Sequence, residues 1–101
     1  MLSAIENELS NPTLGIEYIM EKFSLSEKRA QQLMRSATGM TFFEYLNHQR
    51  MEKAKSLLEA TDIPIQEISS SCGYASVNTF YKAFQRTFAM APNAMRKKAR
   101  E

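Results

Sequence analysis

At 101 residues the chain can build one small domain, or two very small units that share an element, and it is too short for two independent globular cores. Its 44% hydrophobic and 24% charged residues exclude a disordered chain, and three Gly and three Pro among many Leu, Met, Ala, Glu, Lys and Gln favour helix nearly everywhere. The net charge of +2 hides a split: residues 1–27 carry five Glu and one Lys, whereas Lys28 onward carries twelve Lys or Arg against six Asp or Glu, a basic remainder that fits either a nucleic-acid surface or an ordinary solvated one.

In chain order, Leu2 to Leu9 spaces its apolar residues at three and four, which predicts a first short helix ended by Ser10, Asn11 and Pro12. A second helix runs from Ile16 to Phe23, and Ser24-Leu25-Ser26 interrupts it. Ser26 suits the N-cap of a third helix, in which Ala30, Leu33, Met34 and Ala37 form one apolar stripe before Thr38 and Gly39 close it. Thr41 and Glu44 have the spacing of a capping box, and the long helix they open keeps its periodicity through Leu46, Met51, Ala54, Leu57 and Leu58 to Ala60. Thr61 to Pro64 stops it, with Pro64 expected in the first turn of a helix from Ile65 to Ser71. Cys72 to Ser76 reads as a turn, and Val77 to Phe88 as a helix with Phe80, Ala83 and Phe84 inward. A last short helix, Ala94 to Lys98, runs into a basic tail, Arg96 to Arg100.

No strand pattern survives, and the expected fold class is all-α. Residues 16–37 and 65–86 share an order of short helix, turn and amphipathic helix. That is the layout of a helix-turn-helix, where one helix braces a second whose exposed face can enter the major groove. The expected organisation is a first helix-turn-helix subdomain at 1–40, a joining helix at 41–61 and a second subdomain at 62–101.

Enzyme chemistry is poorly supplied. His48 is the only histidine and lies between Asn47 and Gln49 on a helix, no Cys or carboxylate pair offers metal-ligand spacing beside it, and no glycine-rich phosphate loop occurs. No cofactor is expected. No apolar run approaches the roughly 20 residues that cross a bilayer, Met1 to Glu8 lack the layout of a secretory signal, and the single Cys72 cannot close an internal disulfide. A cytoplasmic chain with no membrane partner is the expectation.

Residues 41–92 resemble the DNA-binding region of the AraC/XylS family of bacterial transcription regulators. The resemblance rests on Tyr45-Leu46, Arg50, Ala54, Leu57-Leu58, Ile68-Ser69, Gly73-Tyr74, Phe80, Phe84 and Pro92. In the first unit Ser26 and Gly39 fit, whereas Met20, Ala30 and Met34 stand where the family has Ala, Leu and Phe, and Ser69, Ala89 and Ala91 replace the family's Ala, Gly and Thr. The resemblance implies duplex DNA as partner, RNA polymerase as a further one, and a sensor or receiver domain in a longer parent chain.

Subtracting the core stripes leaves Lys28, Arg29, Gln31, Gln32 and Arg35 on the third helix, and Val77, Asn78, Tyr81, Lys82 and Gln85 on the sixth. Gln can pair with adenine N6 and N7, and Lys or Arg with guanine or phosphate. The family's base-reading positions fall on Lys28, Gln31, Gln32, Val77, Asn78, Tyr81 and Lys82. Phosphate contact is expected from Ser26, Arg29, Arg35, Ser76, Thr79 and Arg86, and Arg50 is assigned to the scaffold. Val77 suits a thymine methyl or, equally, a staple of the helix start against the turn. The competing functional reading is a helical protein-interaction module, for which binding would be insensitive to salt.

Overall fold

The computed structural model describes residues 1–101. The chain forms seven helices and no strand: α1 (Leu2–Asn7), α2 (Ile16–Phe23), α3 (Glu27–Thr38), α4 (Phe42–Ala60), α5 (Ile65–Ser71), α6 (Val77–Phe88) and α7 (Pro92–Ala99). Local chemistry sets most of the boundaries. Ser26 Oγ accepts the Arg29 N–H at 3.2 Å and Ser76 Oγ accepts the Thr79 N–H at 3.1 Å, each satisfying a donor that a helix start leaves open. Left-handed residues, Gly39 (φ 74°) and Ala89 (φ 57°), end α3 and α6. At the head of α4, Thr41 Oγ1 accepts the Glu44 N–H at 3.2 Å and Glu44 Oε1 accepts the Thr41 N–H at 3.0 Å, completing the capping box.

The interior is two cores threaded on one helix. Ile5, Leu9, Leu14, Ile19, Ala30 and Met34 close on Phe42, Tyr45 and Leu46 from the first half of α4. Ile68, Cys72, Phe80, Phe84 and Met95 close on Met51, Ala54 and Leu58 from its second half. The molecule is accordingly elongated, 46 × 22 × 21 Å.

Arg50, at the junction of the two halves of α4, is only 9% exposed. Its Nε donates to the Leu9 carbonyl at 3.2 Å and its Nη2 to the Asn11 carbonyl at 2.7 Å, and its guanidinium lies 5.7 Å from the centre of the Tyr74 ring. Tyr74 in turn donates its hydroxyl to Asn47 Oδ1 at 3.0 Å. Gly73 (φ 88°) completes the joint, because a Cβ there would run into the Leu9 carbonyl oxygen and the Arg50 guanidinium. The loop after α1, the middle of α4 and the turn between α5 and α6 are thereby clamped together, the scaffold role expected of Arg50.

The differences from the sequence reading are local. Helix α1 stops at Asn7 with Glu8 as its C-cap, although Leu9 is still buried. Pro64 is the N-cap of α5 and not part of its first turn. Pro92 opens α7 two residues before the expected start, since proline's fixed φ and missing N–H suit that position. Ala37 is exposed: the last turn of α3 runs past the edge of the first core, and Ala37 lines a surface groove with Met1, Phe23, Leu25 and Leu33. Met20 is half-buried against the first core.

Replacing Phe84 by Ala should cost about 3–5 kcal/mol in denaturant unfolding, a large fraction of a small domain's stability, whereas Tyr81→Ala should be nearly neutral. Arg50→Met keeps most of the side-chain volume but removes both hydrogen bonds and leaves the Leu9 carbonyl without a donor, and should cost about 1–3 kcal/mol in the same measurement. Glu44 titrates below the ordinary carboxylate range because the Thr41 backbone and hydroxyl hydrogen-bond its charged form, with Arg35 adding a weaker attraction. The stability this box contributes is therefore present above the unfolded-state carboxyl pKa and is lost as pH falls through the depressed folded value. In an acid titration, Glu44→Gln should flatten that part of the stability profile.

Candidate nucleic-acid interface

Helices α3 and α6 are both twelve residues long and carry the same N-cap type and the same left-handed end, at an offset of 50 residues. Ala30 and Phe80 are buried in equivalent positions, as are Met34 and Phe84. The opposite faces therefore correspond as well. Lys28 matches Asn78, Gln31 matches Tyr81, Gln32 matches Lys82, and the capping Ser26 matches Ser76. The preceding helices α2 and α5 correspond at an offset of 49, with Ile19 and Ile68 both fully buried, because α5 is one residue shorter than α2 and the turn after it two residues longer.

Most of the expected contact residues are on the surface. Lys28, Arg29, Gln32, Arg35, Asn78, Thr79, Lys82 and Arg86 are exposed, and Tyr81 is 36% exposed. The hydroxyl oxygens of Ser26 and Ser76 are occupied as caps, which leaves the Ser26 hydroxyl hydrogen available to a phosphate oxygen. Ser76 Oγ also lies 3.2 Å from Thr79 Oγ1, so one of those two hydroxyls is already spoken for. No acidic side chain occurs in α6, whereas α3 carries only Glu27. Both faces are basic.

Two expected residues are placed differently. Val77, read as outward, is half-buried. Gln31 is half-buried too, and its Oε1 accepts the Phe42 N–H of α4 at 3.0 Å. The sequence reading also passed over Phe43. It is 76% exposed and borders two grooves, one shared with Gln31 and the other with Ser76 and Thr79, so it stands between the two helical faces. Adjacent Phe42 and Phe43 cannot both point inward from one helix, and that was the available signal.

A helix-turn-helix domain family profile matches residues 19–98, most of both units with the joining helix between them. The chain belongs to the AraC/XylS family. This AraC/XylS domain is 36% identical over 80 residues to the transcriptional activator RhaS of Escherichia fergusonii, covering 79% of the chain and 29% of RhaS. The C-terminal domain of the two-component response regulator yesN from Fusobacterium nucleatum superposes with a TM-score of 0.88 at 29% identity, covering 94% of this chain and 92% of that one. The DNA-binding domain of AdpA, solved in complex with a target DNA, gives 0.88 at 27% identity, covering 98% and 87%. The chain spans roughly a fifth to a third of the length of such curated relatives, 21% to 34%. No helix of the domain is long and apolar enough to cross a membrane.

Cys72 of this AraC/XylS domain lies at the back of the second unit, fully buried, and burial pushes its thiol up to about 11, against weaker downward pulls from Lys53 and Arg50. A thiol reagent at neutral pH should label it only when the second core opens. Labelling of the native protein at the rate of a free peptide thiol would contradict that burial.

Proposed function

We propose that this domain binds double-stranded DNA sequence-specifically as a monomer, with α3 and α6 in successive major-groove segments on one side of the duplex, and that it regulates transcription in this way. The observation that carries the reading is the pair of equivalent amphipathic helices, basic on their outer faces and clamped to one rod through Arg50. The likeness to the AdpA domain solved with DNA supports it.

Lys28, Gln32, Asn78, Tyr81 and Lys82 are the base readers in this proposal, with the uncovered part of Val77 against a thymine methyl. Gln31, also expected to read a base, turns its amide oxygen to the Phe42 N–H of α4. Ser26, Arg29, Arg35, Ser76, Thr79 and Arg86 hold phosphates, fixing register without carrying sequence information. Because equivalent positions hold different chemistry, Lys28 against Asn78 and Gln32 against Lys82, the two half-sites differ and the target is not a palindrome. The 19 residues of α4 make a rod of roughly 28 Å, short of the about 34 Å between successive major-groove faces. Docking both heads therefore bends the DNA toward the protein, at a cost of order 1–6 kcal/mol. A sensor or receiver domain in the parent chain, contact with RNA polymerase and a cytoplasmic location belong to the same proposal.

With on the order of 5 phosphate contacts, the log–log dependence of affinity on salt should have a slope of about −4 to −5. Fluorescence anisotropy with a labelled duplex at several salt concentrations measures it. A slope near zero, as a protein-interaction module would give, would sink the DNA-binding reading.

A further inference from the structure

We propose that Gln31 is a positioning residue that yokes the first recognition helix to the joining helix, and that the equivalent place in the second unit is left free to read a base. The inference rests on the DNA-binding reading above and divides its two heads into different mechanical types.

Phe42 is the first residue of α4, so its N–H is one of the donors that a helix start leaves without an internal partner. The capping box satisfies the N–H groups of Glu44 and Thr41, not that of Phe42. Gln31 supplies the missing acceptor from eleven residues away, on α3, at 3.0 Å. Its carbonyl oxygen is thus committed within the protein. The bidentate adenine pattern needs that same oxygen for N6 and the amide hydrogens for N7; a second lone pair remains on the oxygen, but the Phe42 bond holds the half-buried amide against α4 and fixes its direction.

The second unit shows what happens without that demand. At the offset of 50 that aligns α3 with α6, Gln31 corresponds to Tyr81 and Phe42 to Pro92, the first residue of α7. Proline has no N–H. The donor that engages Gln31 does not exist there, and Tyr81 stands 36% exposed with its hydroxyl uncommitted. One chemical difference at the helix start, an amide with or without hydrogen, separates the two positions. In the first head, the bond fixes the tilt of α3 against the rod and leaves Lys28 and Gln32 to read. In the second, Tyr81 joins Asn78 and Lys82 as a reader.

The test combines hydrogen exchange in the free protein with binding to a panel of duplexes in which each base pair of the selected site is changed in turn. Gln31→Ala should speed exchange of the Phe42 amide, and Gln31→Glu, whose carboxylate can accept the same N–H, should restore protection. On DNA, Gln31→Ala should weaken binding about 3- to 10-fold on every duplex of the panel, the scale of one hydrogen bond, with the ratios between duplexes unchanged. Tyr81→Ala should instead erase discrimination at one or two base pairs of the other half-site. Loss of discrimination at a single base pair in Gln31→Ala, or unchanged Phe42 exchange, would overturn the proposal, as would unchanged affinity. Wild-type protein that fails to bind any duplex would instead remove the DNA-binding reading itself, and the wild-type titration tells the two failures apart.

Discussion

The buried guanidinium of Arg50 is the interaction on which the rest of the architecture depends. Taking a charge out of water is costly unless hydrogen bonds replace the lost hydration, and here two carbonyls and the face of an aromatic ring do so. The carbonyls belong to Leu9 and Asn11, in the loop just past the end of α1. The ring and the glycine that lets the backbones approach come from the second unit. Two cores that share no buried residue are joined by the continuous α4, and the clamp centred on Arg50 braces them at its middle. For a two-headed binder that rigidity matters, because the second head then engages at high effective concentration once the first is bound.

The second unit repeats the device. Arg96 of α7 donates from Nε to the Leu58 carbonyl at 3.2 Å and from Nη2 to that of Ile63 at 2.7 Å, bracing the end of α4 much as Arg50 braces the end of α1. Arg100 reaches the Thr61 carbonyl at 2.8 Å and pairs with Asp62. Of the basic residues that end the chain, these two arginines are structural, and Lys97 and Lys98 face solvent without a protein partner. Since α7 stands to the second unit as α4 stands to the first, each braced helix-turn-helix ends in a helix that carries its clamp.

Much of this was legible before any coordinates. Ser26, Ser76, Gly39 and the Thr41–Glu44 box are local signals, since the atoms that satisfy each helix end lie within a few residues of it, and their boundaries were read closely. The periodicity that put Phe80 and Phe84 inside is local in the same sense. What escaped depends on distant neighbours. Ala37 keeps the spacing of the core stripe, but the core ends one turn earlier. Gln31 has the chemistry and spacing of a reading residue, and only the arrival of α4 beside α3 shows that its oxygen accepts the Phe42 N–H. Arg96 reads in sequence as part of a basic tail because the carbonyls it binds lie 33 and 38 residues away. The family resemblance located the scaffold arginine, since Arg50 offers no local signal of its own.

The sharing of α4 has a consequence for how such domains can be recombined. Phe42, Tyr45 and Leu46 belong to the first core, and Met51, Ala54 and Leu58 to the second, so a cut at either end of α4 strips one unit of part of its own interior. Neither unit is a transplantable module with its boundary in a loop. A hybrid that exchanged one reading head between two relatives would need its crossover inside the joining helix, in the short stretch from Asn47 to Gln49. It would also have to carry a matched set of clamp residues, with Arg50 from one parent accepted by the Leu9 and Asn11 backbone of the other and overlaid by a compatible Gly73 and Tyr74. The inheritable unit is the pair of heads together with their rod.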